Sequence, residues 1–262
     1  PFMLKRFTGA ITIILPKACS KPWLWLYVRP LLLMQGSKAE YLRQRVVCNV
    51  KNQVSSTVAL IDYGAGNLRS VANALLASGL TRENLVVTAN PDEVLQADRV
   101  VLPGVGAVAS CMQALKAIPD MVPALEKAVL EKGRPFLGIC VGMQLLADQG
   151  EEYGVHQGLS WIKGKVTPLR PNDPSCKVPH MGWNQIGLTT DSHPLLRAGE
   201  AYFLHSYAFV PEDESTLLAT TEHGGLVTAA VGRDNIMGVQ FHPEKSQSYG
   251  LEFLSRFLDW NP

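Results

Sequence analysis

The stretch that decides the fold is Pro135-Phe-Leu-Gly-Ile-Cys-Val-Gly-Met-Gln144. It begins as a short apolar run, typical of a buried parallel strand, and passes into helical spacing from Met143 to Ala147. A cysteine between two glycines at such a junction is the pattern of a nucleophile elbow. The glycines remove Cβ atoms that would clash in the tight turn. The pattern therefore predicts that Cys140 stands at the carboxyl edge of a sheet, where a helix N-terminus favours its thiolate. A buried structural cysteine beside packing glycines is the alternative.

Strand and helix patterns alternate on both sides of this stretch. This order predicts an α/β fold, with a mostly parallel central sheet and helices on both faces. The predicted strands are Thr57–Ile61, Leu85–Thr88, Arg99–Leu102, Pro135–Ile139, Lys165–Leu169, Asn184–Leu188, Ala201–Leu204, Val227–Val231 and Ile236–Gln240. The predicted helices are Leu68–Leu76, Ala107–Ala117, Met121–Lys132, Met143–Ala147 and Tyr249–Leu258.

The first 55 residues lack both periodicities and are locally basic. Their apolar run from Trp23 to Met34 is interrupted by Arg29 and Pro30, and it is shorter than the about 20 residues of a spanning helix. We expect residues 1–55 to be an extension outside the domain and residues 56–262 to form the domain. A targeting segment and an accessory element remain alternatives.

Composition excludes several classes of function. The formal net charge of the 262 residues is +1, with no basic stripe interleaved with aromatics, so nucleic-acid binding has no electrostatic support. The five cysteines are dispersed, with no Cys-x-x-Cys pair, which indicates a reduced cytoplasmic protein without a disulfide framework.

A second motif, Gln240-Phe-His242-Pro-Glu244, directly follows a predicted strand. A cysteine nucleophile needs a base, and the base needs an orienting carboxylate. Residues two apart on a strand end share a face, so His242 and Glu244 can supply both groups. Alone the motif is weak, but together with the elbow it predicts a complete Cys–His–Glu triad.

Three other patterns are less specific. The segment Leu102-Pro-Gly-Val-Gly106 can aim backbone N–H groups at a developing oxyanion, or it is a plain turn. Gly64-Ala-Gly66 lacks the third small residue of a dinucleotide fingerprint, since Arg69 stands there. Cys176 and His180 lack the further ligand pair of a zinc site, so we expect no metal and no organic cofactor.

With these motifs in hand, the chain resembles the class I glutamine amidotransferases. Gly138-Ile-Cys-Val-Gly-Met-Gln144 and Val239-Gln-Phe-His-Pro-Glu244 carry this resemblance. Further segments resemble the glutaminase subunits of imidazole glycerol phosphate synthases, collinearly over about Thr57 to Trp260. They are Ile61–Val71, Pro103–Gly106, Val178–Asn184, Tyr202–Tyr207 and Phe241–Ser246.

The resemblance implies a flavodoxin-like architecture and a glutaminase that passes ammonia to a cyclase subunit in histidine biosynthesis. Cys140 is then the nucleophile, His242 the general base and Glu244 its orienting acid. The residues that the resemblance places around the substrate L-glutamine are Gly104, Val105, Gly106, Val141, Gln144, His205, Ser206 and Tyr207. The Pro179–Asn184 segment and the Tyr63–Asn67 loop face the cyclase partner, and no membrane or nucleic acid is involved.

Two rival interpretations remain at this point. One is a glutaminase that feeds another acceptor, such as a pyridoxal phosphate synthase. The other is a catalytically inactive amidotransferase fold that serves as a binding or regulatory module. The intact triad residues disfavour the second, and Pro179-His-Met-Gly-Trp-Asn184 disfavours the first.

Overall fold

The computed structural model describes residues 6–7, 10–11, 56–189 and 193–262, in two units that span Pro1–Asn52 and Gln53–Pro262. In the first unit, strands β1 (Arg6–Phe7) and β2 (Ala10–Ile11) form an antiparallel pair. The other residues of the predicted extension, residues 1–55, lie outside the described part of the chain. The remaining elements belong to the second unit.

A nine-stranded sheet organises the second unit, in the order β11-β10-β13-β14-β15-β6-β5-β3-β4. Strands β15, β6, β5, β3 and β4 form a parallel block, and β14, β13, β10 and β11 extend it in antiparallel fashion. The bounds of these strands are β3 Val58–Ile61, β4 Leu85–Thr88, β5 Arg99–Gly104, β6 Phe136–Cys140, β10 His180–Leu188, β11 Gly199–His205, β13 Leu217–Glu222, β14 Leu226–Arg233 and β15 Ile236–Val239. The α/β class with a mixed, mostly parallel sheet is thereby confirmed.

Four of the five parallel strands are completely buried. Strands β3, β5, β6 and β15 are buried at every position, as expected of strands covered on both faces. The helices are α1 Leu68–Ala77, α2 Pro91–Gln96, α3 Val108–Ala117, α4 Met121–Glu126, α5 Val141–Gln144 and α6 Gln247–Asp259. None of the helices in the described part of the chain has the length and apolarity needed to cross a bilayer.

Four further strands form a smaller sheet, in the order β12-β9-β7-β8. Its strands are β7 Gln149–Gly150, β8 His156–Gln157, β9 Gly164–Pro168 and β12 Tyr207–Pro211. The chain passes from β11 in the main sheet directly to β12 in the smaller sheet. The segment His205 to Tyr207 is therefore where the chain changes sheets.

Two helix predictions need correction. The predicted helix Met121–Lys132 is α4 followed by a π-helical turn, Lys127–Glu131, which the i→i+5 bond from Lys132 N to Lys127 O closes. The helix predicted at Met143–Ala147 begins earlier, at Val141, and has only four residues. A helix this short aligns few peptide dipoles, so its contribution to a thiolate is smaller than we expected.

The β6–α5 turn is packed too tightly for side chains at its glycines. A Cβ atom at Gly142 would overlap the carbonyl oxygen of Leu102 on β5, and one at Gly138 would lie 2.5 Å from the carbonyl oxygen of Gly142. These contacts are to backbone atoms, which cannot rotate away. The glycines therefore allow α5 to fold back against β5 and β6.

We predict that Gly142→Ala destabilises the protein by about 1–3 kcal/mol or more, because the backbone must shift to admit the methyl group. The matched control is Gly187→Ala in β10, where the new Cβ would lie 3.8 Å from its nearest neighbour, Thr220. Urea unfolding of both variants measures the effect. Equal stabilities would show that the turn tolerates a side chain.

Candidate active site

The elbow positions Cys140 at the edge where the parallel strands end. Cys140 has φ 54° and ψ −111°, a sparsely populated backbone conformation for a residue with a side chain. Strand β15 pairs in parallel with β6, with Val239 opposite Ile139, so the residues that follow both strands emerge together. His242 therefore lies at the same edge as Cys140, and both side chains line one cavity.

The imidazole is also held by a carboxylate. His242 Nδ1 lies 2.8 Å from Glu244 Oε1, and both side chains are almost fully buried. Burial disfavours the imidazolium, but the hydrogen bonds and charges of Cys140 and Glu244 outweigh it and raise the pKa of His242 to about 10. The proton thus remains on the imidazole at neutral pH.

Backbone contacts fix the segment that carries the triad histidine. The N–H of His242 donates to the Tyr202 carbonyl on β11 at 2.9 Å. The Ser246 hydroxyl donates to the His242 carbonyl at 2.7 Å and accepts from the Tyr202 N–H at 3.0 Å. The histidine is thereby tied to a neighbouring strand and to the start of α6.

The segment after β5 runs beside the nucleophile. Gly104 pairs with Cys140 in the sheet, and Val105 and Gly106 follow it at the cavity wall. The Tyr63 hydroxyl donates to the Pro103 carbonyl at 2.6 Å, and the Cys111 thiol donates to the Val105 carbonyl at 3.3 Å. Burial raises the pKa of Tyr63 and that of Cys111, so both groups stay protonated donors. In a trans peptide the C=O and N–H point in opposite directions, so the Gly106 N–H faces away from Cys111.

A cavity of about 510 Å³ opens in front of Cys140. Its walls combine the triad, the Val105–Ala107 segment, the His205–Tyr207 segment and a loop that carries Glu152 and Tyr153. The complete lining is Asn67, Val105, Gly106, Ala107, Cys140, Val141, Gln144, Glu152, Tyr153, Pro179, Leu204, His205, Ser206, Tyr207, His242, Glu244 and Lys245. The size suits an amino acid that is anchored by a few polar groups.

Two buried glutamines lie behind the nucleophile. Gln144 Nε2 donates to the Tyr207 carbonyl at 3.1 Å and to Gln240 Oε1 at 3.0 Å. Because both amide hydrogens of Gln144 are used, its Oε1 is the atom that it can offer to a ligand. Gln240 is fully buried, and its Nε2 donates to Cys140 Sγ at 3.7 Å.

A pair of neutral histidines continues this network. The Tyr207 carbonyl lies 2.8 Å from His205 Nδ1, which must therefore carry the proton. His205 Nε2 then accepts from His180 Nδ1 at 3.0 Å, and His180 Nε2 accepts from Asn184 Nδ2 at 3.1 Å. Burial, followed by the charges of neighbouring histidines, lowers the pKa of His180 to about 3. Burial also lowers the pKa of His205, to about 4, despite its bond to Tyr207.

The structure brings together almost all the residues expected from the sequence. Of the expected set, Gly104 pairs with Cys140 in the sheet, and all the others are among the described residues that line the cavity. Sequence reasoning missed Glu152, which lies in an irregular loop without a motif. It also assigned no role to Gln240, although this residue opens the motif that contains His242.

The surface around the cavity mouth carries exposed apolar side chains. Pro179 and Asn67, from the two segments expected to face a partner, line the cavity itself. On β10, Met181 is 65% exposed and Trp183 is 45% exposed, which excludes a core role for this tryptophan. Trp183 contacts only the edge of Tyr202 among the aromatic rings of the described residues, with ring centroids 6.1 Å apart.

Comparisons with known proteins agree with this geometry. The family model described as glutamine amidotransferase class-I matches residues 59–260. The chain is 98% identical over 213 residues to a Zymomonas mobilis protein named imidazole glycerol phosphate synthase subunit HisH, covering 81% of this chain and 100% of that protein. A protein of the same name from Rhodospirillum rubrum is 55% identical over 212 residues, which cover 78% of this chain and 99% of the relative.

Solved structures support the fold alone. A crystal structure titled glutamine amidotransferase superposes with a TM-score of 0.60 at 17% sequence identity. The superposition covers 77% of this chain and 98% of that one.

We predict that acid destabilises the protein through its neutral histidines. An unfolded histidine with a pKa near 6.5 binds a proton as the pH falls toward 4, whereas His180 and His205 in the folded protein stay neutral. The unfolding free energy should therefore fall by up to about 1.4 kcal/mol per pH unit for each of them below pH 6.5.

The measurement is urea unfolding at pH 7, 6 and 5. His180→Gln, which keeps a donor and an acceptor but does not titrate, should show a shallower dependence than the wild type. Identical slopes would contradict the assignment of a neutral His180.

Proposed function

The chain belongs to the class I glutamine amidotransferases, and we propose that it is the glutaminase subunit of an imidazole glycerol phosphate synthase, which supplies ammonia for histidine biosynthesis. The observation that carries this proposal is the 98% identity over 213 residues to a protein of that name. The contacts among Cys140, His242 and Glu244 support the chemistry independently, because a glutaminase of this type needs these three groups.

The proposed reaction is hydrolysis of L-glutamine to glutamate and ammonia. The Cys140 thiolate attacks the side-chain amide carbon, and the resulting tetrahedral intermediate carries an oxyanion. The His242 imidazolium gives its proton to the leaving ammonia, and a thioester remains. His242, now neutral, takes a proton from the water that cleaves the thioester, which regenerates the thiolate–imidazolium pair. Glu244 orients the imidazole and stabilises its charge without taking the proton.

Backbone N–H groups are the candidates for stabilising the oxyanion. Val141 follows the nucleophile directly, and Val105 and Gly106 line the same cavity. The Cys111 thiol holds the Val105 carbonyl on the buried side, which leaves the Gly106 N–H on the other side of the strand. We propose that N–H groups from Val141 and from this segment together bind the oxyanion.

The polar lining also suits the zwitterionic end of glutamine. Glu152 is a carboxylate at the cavity wall outside the triad, and we propose that it pairs with the substrate ammonium group. The free Oε1 of Gln144 adds an acceptor. Ser206 and Tyr207 complete this side of the pocket. Burial raises the pKa of Glu152, and an ammonium beside it would restore the charged form.

We propose that the ammonia passes to a cyclase subunit with a (β/α)₈ barrel. The acceptor there is a phosphoribosyl-formimino aminoimidazole carboxamide ribotide. The products are imidazole glycerol phosphate and an aminoimidazole carboxamide ribotide. The docking face includes Pro179–Asn184 and Tyr63–Asn67, and it is supported by the exposure of Met181 and Trp183 beside the cavity mouth. Docking there would keep ammonia from bulk water, where it would be protonated and lost as a nucleophile.

Two further statements belong to the proposal. Residues 1–55 lie outside the amidotransferase domain, in keeping with the family match to residues 59–260. The enzyme works in the cytoplasm, in keeping with the free thiols of Cys111, Cys140 and Cys176 in the described part of the chain.

We predict that Cys140→Ala abolishes glutamine-dependent activity without unfolding the protein. Alanine fits the turn, and it removes the nucleophile. Together with the cyclase partner, the variant should still form imidazole glycerol phosphate when ammonium salts replace glutamine. Product formation from both nitrogen sources should be measured in the complex. Substantial glutaminase activity in the variant would overturn the assignment of Cys140.

We predict that Trp183→Ala weakens binding of the cyclase subunit by about 2 kcal/mol or more, because exposed aromatics are frequent anchors of interfaces. Its melting temperature should change little, since the side chain is 45% exposed. Val87→Ala is the matched control, because Val87 is 47% exposed on β4, at the opposite edge of the sheet. Calorimetric titration with the partner gives the affinities. Equal affinities of the two variants would remove Pro179–Asn184 from the docking face.

A further inference from the structure

We propose that Gln240 is an additional catalytic residue, whose side-chain amide donates a hydrogen bond to the sulfur of Cys140 and favours the thiolate. The inference rests on the proposed function in so far as Cys140 is the nucleophile. It concerns a contact away from the cavity lining, since Gln240 is fully buried and is not among the described residues that line the cavity.

The orientation of this amide follows from one backbone carbonyl. The oxygen of Tyr207 can only accept hydrogen bonds, so the atom of Gln144 that faces it at 3.1 Å must be the nitrogen. The same nitrogen lies 3.0 Å from the Gln240 side chain. A nitrogen donor requires an acceptor there, so the atom that Gln240 presents to Gln144 must be Oε1.

Once Oε1 is assigned, the remaining atom of the Gln240 amide is its nitrogen. This nitrogen lies 3.7 Å from Cys140 Sγ, within hydrogen-bond range for sulfur. An amide N–H can only donate, and a thiol sulfur is a weak acceptor for it, whereas a thiolate carries a full negative charge. A donor directed at an anion forms a stronger hydrogen bond than one directed at a neutral group.

The backbone keeps Gln240 in this place. Its N–H donates to the Ala229 carbonyl on β14 at 2.9 Å, which extends the sheet by one residue beyond β15. Because β15 is in parallel register with β6, this residue comes level with Cys140. The side chain is therefore held at its root by the sheet and at its tip by Gln144.

The thiolate thus has donors on two sides. His242 approaches it as an imidazolium that gives up its proton during the reaction, whereas Gln240 keeps its hydrogen throughout. The amide contact lasts until the carbon–sulfur bond forms and neutralises the sulfur. It is available again when water cleaves the thioester and the thiolate departs.

A purely structural role makes a different prediction. If Gln240 only fills space, an apolar side chain of similar shape should leave the thiol unchanged. If it donates to sulfur, removing the donor should disfavour the thiolate, and placing a carboxylate there should disfavour it further by repulsion.

The experiment follows the rate of iodoacetamide alkylation at Cys140 against pH, measured by peptide mass spectrometry on the full chain. The variants are Gln240→Met, which removes the donor to sulfur together with the acceptor for Gln144, and Gln240→Glu, which keeps that acceptor and adds a negative charge. Val239→Ala is the control, because Val239 is equally buried and directly precedes Gln240, so its side chain points to the opposite face of the extended chain. Apart from the new carboxylate of Gln240→Glu, the titratable groups around the sulfur stay the same; they are Tyr63, Cys111, Glu152, Tyr153, His205, Tyr207, His242, Glu244 and Lys245.

We expect the midpoint of alkylation to rise by about one pH unit in Gln240→Met, because this variant loses one charge-assisted hydrogen bond to the sulfur. It should rise further in Gln240→Glu and remain unchanged in Val239→Ala, even if that control melts at a lower temperature. In complex with the cyclase partner, kcat for glutamine should fall in the same order, with little change in KM.

A wild-type midpoint in Gln240→Met would overturn the proposal, because shape alone would then suffice. If Gln240→Glu does not fold, Gln240→Met still decides the question. Alkylation does not involve glutamine, so this outcome is separate from failure of the proposed function, which would appear as a wild-type complex unable to hydrolyse glutamine.

Discussion

The fold of this protein depends on the close approach of α5 to β5 at the nucleophile turn. A side chain at Gly142 would overlap the Leu102 carbonyl, and the backbone of Cys140 takes a strained positive φ so that the chain can reverse there. Such a strained backbone conformation persists only where contacts with the surrounding structure hold it in place. Here the parallel neighbours β5 and β15 flank β6 on both sides, and the segments that follow them bring Val105, Gly106 and His242 to the same edge.

A second constraint, the carbonyl of Tyr207, sets the direction of the polar network. It accepts from Gln144 and from His205, and these two bonds decide which way an amide points and which tautomer an imidazole adopts. The tautomer of His205 in turn fixes the hydrogen-bond directions at His180 and Asn184. The orientation of Gln144 likewise fixes that of Gln240, whose nitrogen faces the sulfur. Each of these buried groups faces a complementary donor or acceptor, so the network avoids the free-energy cost of unpaired buried polar atoms.

The sequence predicted what is encoded locally. Cys140, His242 and Glu244 lie in short motifs at strand ends, and the parallel register brings strand ends together, so their meeting could be inferred. Strands β12 and β13 were missed. Strand β12 ends at Pro211, and β13 lies beside polar turns, so neither gave a clear period. Glu152 and the role of Gln240 depend on which distant segments fold against the sulfur, and this information is in no single stretch of sequence.

The electrostatics of the site explain why its other histidines are neutral. A second positive charge beside His242 would compete with its proton and weaken the imidazolium that the thiolate requires. Burial keeps His205 uncharged at neutral pH, and its only proton is donated to the Tyr207 carbonyl.

Strand β10 connects this buried network of histidines to the surface. Alternate residues face opposite sides, so Met181 and Trp183 are exposed while His180 and Ile186 point inward. The buried face of the same strand places His180 Nδ1 3.0 Å from His205 Nε2.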